Sequence, residues 1–346
     1  MSVKFKTTDN AQGLGHVIHA VKAVVLEESN AYAEQNKLLG EVFNVLSSDR
    51  SIESILSEVG FGSFEYKPEG DPIPKDTLAE GYSSSISHKT FAKQFNITRE
   101  MIEDAKLGRA ATLSVGKVKE IKGFVRAFIN ARLECAFKLL GGATGNSVTV
   151  LGATLSAKTG DNLPLFSGVH TYKTKEGTQS NYFHTNEDFD SDAAKFNDVL
   201  WAAANKLRDF KTEKGDSTGY VANLLILPNN QHDLRKIAQT VLGSPKAPGS
   251  ANNDININYG NFEIITLPYW DAEGPEFIVM SKEANEEFYG NAFYNREALS
   301  VTSHVDPNTE DLIFNGRGRF GIGFHAWKHI ARVVKSAAQV GTSTAL

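Results

Sequence analysis

The stretch from Phe61 to Thr98 limits the fold of this chain more than any other. It reads FGSFEYKPEGDPIPKDTLAEGYSSSISHKTFAKQFNIT, with three prolines between two segments rich in aromatic and β-branched residues. Because proline cannot donate a hydrogen bond to a sheet, the prolines mark a connection between strands rather than a strand. We therefore predict a long hairpin with a wide, acidic tip over residues 61–98.

The returning side of this hairpin is too polar to pack on itself. Ser83, Ser85 and Ser87 line one face, and only Tyr82 and Ile86 are large on the other. An isolated two-stranded ribbon is marginally stable at best. We therefore expect the ribbon to depend on a surface outside itself.

A long helix follows the hairpin. Thr98 is a predicted N-cap, with acidic residues after it near the positive end of the helix dipole. Apolar side chains then recur at three- and four-residue steps until the glycine pair at 141–142 ends the helix. These side chains are Val118, Ile121, Val125, Phe128, Cys135 and Leu139. A helix unbroken from Arg99 to Leu140 is roughly 60 Å long, although three internal glycines weaken its continuity.

The pattern beyond the glycine pair alternates helices with strands. DAAKFNDVLWAAANKLRDFK has one apolar helical face, and the acidic residues and Ser191 before it are typical of helix capping. A second helix follows and ends at Gly243. YVANLLILP, FEIITLPYW and EFIVMS are predicted strands. Near the C-terminus, Leu299, Val301 and Val305 alternate with polar residues, and DPNTED supplies a turn.

The stretch FNGRGRFGIGF, residues 314–324, contains a Gly-x-Gly-x-x-Gly spacing typical of dinucleotide-binding loops. Such a loop requires a following helix and an acidic residue ~20 positions later, which holds the ribose. The residues after Gly321 include neither Asp nor Glu, and they alternate with the two-residue period of a strand. We therefore interpret the glycines as positions of close approach in a strand.

Other motifs fail to form a chemical site. His325 and His329 lie ~13 Å apart on a strand, too far to share a metal. Asp188, Asp190 and Asp192 lack the glycine and glutamate of a calcium loop. The single cysteine, Cys135, lies on the apolar face of the long helix, where a thiol is inert. We predict no enzyme activity and no catalytic residue, metal ligand or cofactor.

Composition supports a globular protein of a reducing compartment. The chain has 346 residues, a formal net charge of −5 and one cysteine. This acidic balance disfavours a surface that grips nucleic acid. The N-terminus lacks a signal-peptide pattern, and no segment reaches the ~20 apolar residues of a membrane-spanning helix. We expect the chain to be made in the cytoplasm and to have no membrane partner.

The order of these elements resembles that of the tailed-bacteriophage major capsid proteins, the Hong Kong ninety-seven fold. GYSSSISHKTFAKQFNITREMIED is similar to the returning hairpin strand and helix start of many head-shell subunits. PLFSGVHTYKTKEGTQSNY is similar to the segment that enters the family's axial domain, and FNGRGRFGIGFHAWKHIARV is a weaker match to the final strand of its peripheral domain. The resemblance covers nearly the whole chain from about Phe61.

The resemblance implies an α+β capsid fold with an N-terminal arm at 1–60 and an extended loop at 61–98. The spine helix of the peripheral domain follows at 99–145, and the axial domain with its connections at 146–297. The return strands of the peripheral domain and the C-terminus occupy 298–346. In this family the extended loop lies over a neighbouring subunit. We assign its contacts to Phe64, Tyr66, Lys67, Tyr82, Ile86 and His88, and the packing of the spine helix to Val118, Ile121, Val125 and Phe128.

The implied function is that of a major capsid protein of the virion. Pentamers and hexamers close an icosahedral head around double-stranded DNA, which the acidic lining encloses without sequence-specific binding. Only ~60 residues precede the hairpin, whereas the scaffolding segment of some members has roughly a hundred, so we expect a separate scaffolding protein. A portal protein and a decoration protein are further expected partners, and assembly takes place in the host cytoplasm. The sequence leaves two alternative functions open: an encapsulin-type protein compartment and a soluble α/β enzyme. Particle size distinguishes the enzyme from a shell protein.

Overall fold

The computed structural model describes residues 21–25, 27–28, 33–76, 79–100, 115–246 and 255–346. Helices and strands are numbered here in chain order. The helices are α1 Ala33–Val42, α2 Val115–Gly141, α3 Ala193–Arg208, α4 His232–Leu242 and α5 Lys282–Glu287. The strands up to α3 are β1 Asn44–Ser47, β2 Ile52–Val59, β3 Ala79–Ser87, β4 Lys89–Ile97, β5 Ser147–Val150, β6 Ala153–Ser156, β7 His170–Thr171, β8 Thr178–Gln179 and β9 Tyr182–Thr185. The later strands are β10 Leu224–Pro228, β11 Glu263–Leu267, β12 Glu276–Met280, β13 Asn291–Val305, β14 Leu312–Phe324, β15 Ile330–Lys335 and β16 Thr344–Ala345.

A four-stranded sheet with the order β1-β13-β14-β4 carries the long helix on one face. The predicted return strands are β13 and β14, which form an antiparallel pair across the turn at 306–311. Along β14, aromatic side chains stack with those of β4: the ring centroids of Phe91 and Phe320 are 4.6 Å apart, and those of Phe95 and Phe314 are 4.9 Å apart. This aromatic layer is the surface on which α2 packs.

A six-stranded mixed sheet with the order β11-β10-β12-β15-β9-β16 forms the second layer. All five residues of β10 are buried, as the apolar run Leu224–Pro228 predicts for a central strand. Helix α3 buries the face predicted for it, and its Phe196 meets Phe277 of β12 with ring centroids 5.8 Å apart. Asp192, one of the acidic residues predicted to cap this helix, accepts a hydrogen bond from the Ala194 amide at 2.8 Å. The predicted α+β class is confirmed.

Two boundaries differ from the sequence-based expectation. The outgoing hairpin strand is β2, before the aromatic segment 61–66, because the isoleucines at 52 and 55 pair with the serine-rich β3. β4 leaves the hairpin altogether and pairs with β14. Residues 99 and 100 are helical, as predicted after Thr98, whereas the acidic residues at 103 and 104 lie outside the described residues, and α2 is described from Val115.

The C-terminal and N-terminal divisions also differ. The segment 298–346 was predicted to hold the return strands of the peripheral domain and the C-terminus; within it, β14 belongs to the four-stranded sheet, and β15 and β16 belong to the six-stranded sheet with β9–β12. β1 is an edge strand of the four-stranded sheet and runs parallel to β13, so the segment predicted as an arm supplies part of a sheet. Both differences come from pairing between residues distant in sequence, which a local pattern does not encode.

Candidate assembly surface

The hairpin consists of two regions with opposite surroundings. We call β2 and β3 the stem, and residues 60–76 the tip. β2 and β3 are antiparallel, with Val59 opposite Ala79 and a register shift between Leu56 and Glu58. The stem packs against β14 of its own chain. The tip instead contacts the turn at 212–218.

Glycines of β14 make room for neighbours on both faces of the sheet. A Cβ at Gly316 lies 2.2 Å from Phe124 Cζ, and one at Gly318 lies 2.3 Å from Phe128 Cζ, so these two positions admit the aromatic rings of α2. A Cβ at Gly323 lies 2.7 Å from Ile86 Cγ1, so this position admits the stem. Real Cβ atoms do not approach other atoms so closely. The Gly-x-Gly-x-x-Gly spacing is therefore a packing feature and not a nucleotide-binding loop, as predicted.

The stem is therefore partly buried by its own chain. Ile86 is only 6% exposed and packs with Ala292 and Tyr294 of β13. His88, directly after β3, is also buried. We expected Ile86 and His88 to contact a neighbouring subunit. Their side chains are instead buried by their own chain, because the glycines of β14 leave room for them.

Polar groups next to Ile86, on the same face of the stem, form a largely buried chain of hydrogen bonds. Ser48 donates its hydroxyl proton to Glu53, so Nε2 of His88, 3.1 Å from Ser48 Oγ, is the donor in that pair. Burial lowers the pKa of His88, and the nearby Arg296 and Arg319 lower it further, while Glu53 opposes them. The structure thus keeps His88 neutral, with its proton on Nε2.

His325 fixes β3 to the end of β14. Its Nε2 lies 3.0 Å from the Tyr294 hydroxyl, and its Nδ1 bonds Ser84 of β3. Both partners are hydroxyls, which donate or accept, so a neutral ring satisfies both bonds. Burial lowers the pKa of His325 to about 4. His329 bonds Asn291 instead, through Nε2 at 2.9 Å, so the two histidines do not converge on one ligand.

The tip is more exposed than the face of the stem that packs on β14. Phe64 is fully exposed, Tyr66 is 88% exposed and Ile73 is 75% exposed. Lys67 lies among them and is exposed as well. Tyr82, at the start of the stem, is half-buried, with its hydroxyl 3.0 Å from Thr171 Oγ1 of β7. The large side chains predicted to contact a neighbour at 64 and 66 thus lie on an open surface.

Polar contacts tie both sides of the tip to the turn at 212–218. The amide and hydroxyl of Ser63 donate to the two carboxylate oxygens of Asp216 at 3.1 and 2.9 Å. On the other side, Asp76 accepts from Lys214 Nζ at 2.6 Å and from the Gly62 amide at 2.8 Å. These contacts are solvent-exposed, so they orient the tip without burying its aromatic side chains.

Helix α2 packs on the aromatic layer through residues that its periodicity singled out. Ile121 and Val125 are buried, and Phe128 is half-buried with its ring centroid 6.2 Å from that of Phe320. Val118 lies in the helix, but its side chain is outside the described set. The periodicity missed several further buried residues near the helix C-terminus: Ile129, Leu133, Ala136, Phe137 and Leu140. This end is therefore buried over a wider face than the periodicity predicted.

The described residues give little indication of a catalytic or metal-binding site. Within them, no three His, Cys, Asp or Glu side chains group closely enough to hold a metal. Burial raises the pKa of the Cys135 thiol to about 12, which makes it a poor nucleophile. Among the helices whose structure is described, none combines the length and apolarity needed to cross a bilayer.

The geometry matches a known family of shell proteins. A family model described as phage capsid protein matches residues 81–333. This chain belongs to the phage capsid protein family. It is a structural protein of the capsid shell and not an enzyme, so the predictions of a major capsid protein and of a virion location are confirmed. The family match also favours a phage shell over an encapsulin-type compartment.

Solved structures with little sequence identity share the fold. The chain is similar to the capsid protein in the structure titled native GTA particle, with 14% identity, a TM-score of 0.53 and coverage of 86% of this chain and 90% of that one. It is similar to a protein of Mycobacterium phage Patience, with 13% identity, a TM-score of 0.51 and coverage of 92% and 89%. A virus-like particle from Pyrococcus furiosus gives 10% identity, a TM-score of 0.50 and coverage of 91% and 98%. No curated protein matches significantly.

Proposed function

We propose that this capsid protein assembles as pentamers and hexamers into an icosahedral head that encloses double-stranded DNA, with the tip of each copy lying over an adjacent copy. The observation that carries the proposal is the exposed set of large side chains on the tip. Aromatic side chains bury 150–250 Å² each when covered, which dominates the energetics of many interfaces. Phe64 and Tyr66 obtain little of this burial within their own chain, and a shell supplies a neighbour to provide it.

The remaining partners follow from the same model of assembly. A separate scaffolding protein guides closure, a portal protein occupies one vertex and a decoration protein binds the finished shell. The net charge of −5 supports a lining that encloses DNA through shape rather than through sequence-specific contacts. Assembly takes place in the host cytoplasm.

The direct test shortens the hairpin without disturbing its stem. Replacing residues 60–78 by Asn-Gly closes a two-residue turn between the paired Val59 and Ala79. We expect the variant, expressed with the neighbouring phage genes, to fold but to give no closed particles by electron microscopy. Normal heads from this variant contradict the proposal.

A milder variant distinguishes the effect of the tip side chains from the effect of loop length. Phe64→Ser with Tyr66→Ser keeps the backbone and removes the exposed aromatic surface. The matched control is Val169→Ser with Val340→Ser, which removes two exposed apolar side chains elsewhere. We expect particle yield to fall at least tenfold for the first pair and to stay near wild type for the second. Equal yields contradict the assignment of Phe64 and Tyr66.

A further inference from the structure

A buried ion pair links the start of β7 to the loop before it. The side chains of Asp161 and His170 are inaccessible to solvent, and Nδ1 of the imidazole lies 2.6 Å from Oδ2 of the carboxylate. On the other side of the ring, Nε2 lies 3.1 Å from the carbonyl oxygen of Leu165. The ring also stacks on Trp327, with ring centroids 4.3 Å apart. Both ring nitrogens of His170 therefore face oxygen atoms.

These two oxygen partners determine the protonation of the ring. A carbonyl oxygen only accepts hydrogen bonds, so Nε2 of His170 carries a proton. A nitrogen and a carboxylate oxygen 2.6 Å apart also need a proton between them. Burial disfavours the ionised form of Asp161, but the hydrogen bond and charge of His170, with the donors Thr159 and Leu163, hold the pKa of this carboxyl below its ordinary value. The second proton therefore lies on Nδ1, and the ring is an imidazolium beside a carboxylate.

The segment that this pair closes contacts the hairpin at both of its ends. We call residues 157–169, between β6 and β7, the connecting loop. A Cβ at Gly160 would lie 2.9 Å from Cβ of Tyr82, and the Gly160 amide donates to the carbonyl of His325 at 3.2 Å. In β7, Oγ1 of Thr171 lies 3.0 Å from the Tyr82 hydroxyl. The ion pair therefore joins the two contacts that hold β3 near the tip.

Charged groups of other elements lie near the pair. Lys328, after β14, has its Nζ 5.6 Å from the centroid of the Trp327 ring, and its charge interacts with that of Asp161. Glu213 lies 3.8 Å from the same Nζ. Burial lowers the pKa of Lys328, and Lys175 of the β7–β8 turn lowers it further, while Glu213 and Asp161 oppose them. Lys328 is therefore a second group near the connecting loop that loses its charge more readily at alkaline pH than an ordinary lysine.

We propose that His170 and Asp161 are proton-dependent positioning residues for the hairpin: the charged pair holds the connecting loop and β7 against β3, and loss of its proton releases β3 near the tip. The link to assembly rests on the proposed function, because a released β3 changes the direction in which the tip projects, whereas the release itself concerns the lone subunit. Histidines of an unfolded chain lose their protons near pH 6.5. Above that pH the folded pair keeps a proton that the unfolded chain has released. The stabilisation from the pair is therefore fully present below about pH 6.5 and declines as pH rises.

The histidines of the stem respond in the opposite direction. Burial lowers the pKa of His88 and of His325, so both are already neutral above pH 6.5. Burial also raises the pKa of the Cys135 thiol to about 12, so this group stays protonated. Among the buried groups discussed here, a change in the stem between about pH 6.5 and pH 8.5 therefore reports on the ion pair or on Lys328.

Hydrogen–deuterium exchange of the unassembled subunit at two pH values tests the proposal. Asp161→Asn keeps the shape of the pair, because the new amide donates to Nδ1 of a neutral ring whose Nε2 proton still reaches Leu165. Asp198→Asn, at an exposed position of α3, is the matched control. After correction for the exchange rates of free amides, we expect the protection of amides 81–87 to fall about tenfold or more from pH 6.5 to pH 8.5 in wild type and control, since one proton changes an equilibrium tenfold per pH unit. In Asp161→Asn it should change less than about threefold.

Other outcomes overturn the inference and leave the proposed function separate. An equal decline in wild type and Asp161→Asn contradicts it, as does a decline that disappears in Lys328→Met but persists in Asp161→Asn, because the lysine then carries the effect. Wild type alone supplies a second measurement if the variant does not fold. Nitrogen NMR of its histidine rings should show a ring with protons on both nitrogens at about pH 8, and only neutral rings at that pH overturn the inference. Wild-type protein that forms no particles at neutral pH contradicts the proposed function instead.

Discussion

The stem and the tip of the same hairpin differ in what orders them. In the stem, Ile86 lies on the glycines of β14, and Ser84 bonds His325. In the tip, Phe64 and Tyr66 point into solvent, and the contacts with Asp216 and Lys214 are polar and exposed. The difference shows that a hairpin with little apolar content of its own is anchored at one end by its own chain. Its other end remains available to a second copy.

The largest expected difference between the two regions is in the burial of an isoleucine. Ile86→Ala removes buried methyl groups that pack against β14, and it should lower the free energy of unfolding by about 2–5 kcal/mol. Ile73→Ala, in the exposed tip, should change it by less than about 0.5 kcal/mol. Urea unfolding of the unassembled subunit measures both. Similar effects of the two substitutions contradict the division into stem and tip.

The second difference concerns pH. His325 is neutral when the stem is docked, since burial lowers its pKa from the ordinary 6.5 to about 4. Its contribution to stability is therefore fully present above pH 6.5 and is lost as pH falls from 6.5 towards 4. One such histidine contributes up to about 3 kcal/mol over that range. His88, whose pKa burial also lowers, acts in the same direction.

Unfolding midpoints of wild type and His325→Gln from pH 7.5 to pH 4 measure this effect. We expect the variant to have a lower stability at neutral pH but a shallower decline on acidification, because one buried titrating group is gone. An identical slope in both proteins means that folding does not lower the pKa of His325 and contradicts this prediction.

The smallest expected effect sharpens the comparison within the tip. Asp216→Ala with Lys214→Ala removes the polar contacts to Ser63 and Asp76, and exposed pairs of this kind contribute about 1 kcal/mol or less. We expect an unchanged unfolding midpoint within that range and faster proteolytic cleavage between residues 60 and 76. Glu176→Ala, an exposed carboxylate on the β7–β8 turn, is the control. Equal cleavage rates in all three proteins show that the 212–218 turn does not orient the tip.

The sequence predicted the elements whose patterns are local. The apolar face of α3 and the buried strand at 224–228 depend on neighbouring residues and formed as expected, and the strand predicted at 299–305 lies within β13. The interpretation of the glycines near residue 318 as a strand with close contacts was also correct. What approaches them is a pair of aromatic rings and an isoleucine rather than backbone.

The errors involve contacts between residues distant in sequence. Tyr82 and Ile86 looked like the only large side chains on one face of an unsupported ribbon, because Gly323, against which Ile86 packs, comes from the far end of the chain. The outgoing strand was placed at 61–66 because those residues are aromatic, although β3 pairs with the less conspicuous segment 52–59. The exposed side chains at 255, 257 and 259 could have been noticed from the ININY alternation, but only their measured exposure shows that they face outwards.

Hydrogen–deuterium exchange of the unassembled subunit and of purified particles tests the central claim most directly. We predict slow exchange of the stem amides at 81–87 in both states, and protection of the tip amides at 64–76 in particles only. Tip amides that exchange equally fast in both states, or that are already protected in the lone subunit, would contradict the account.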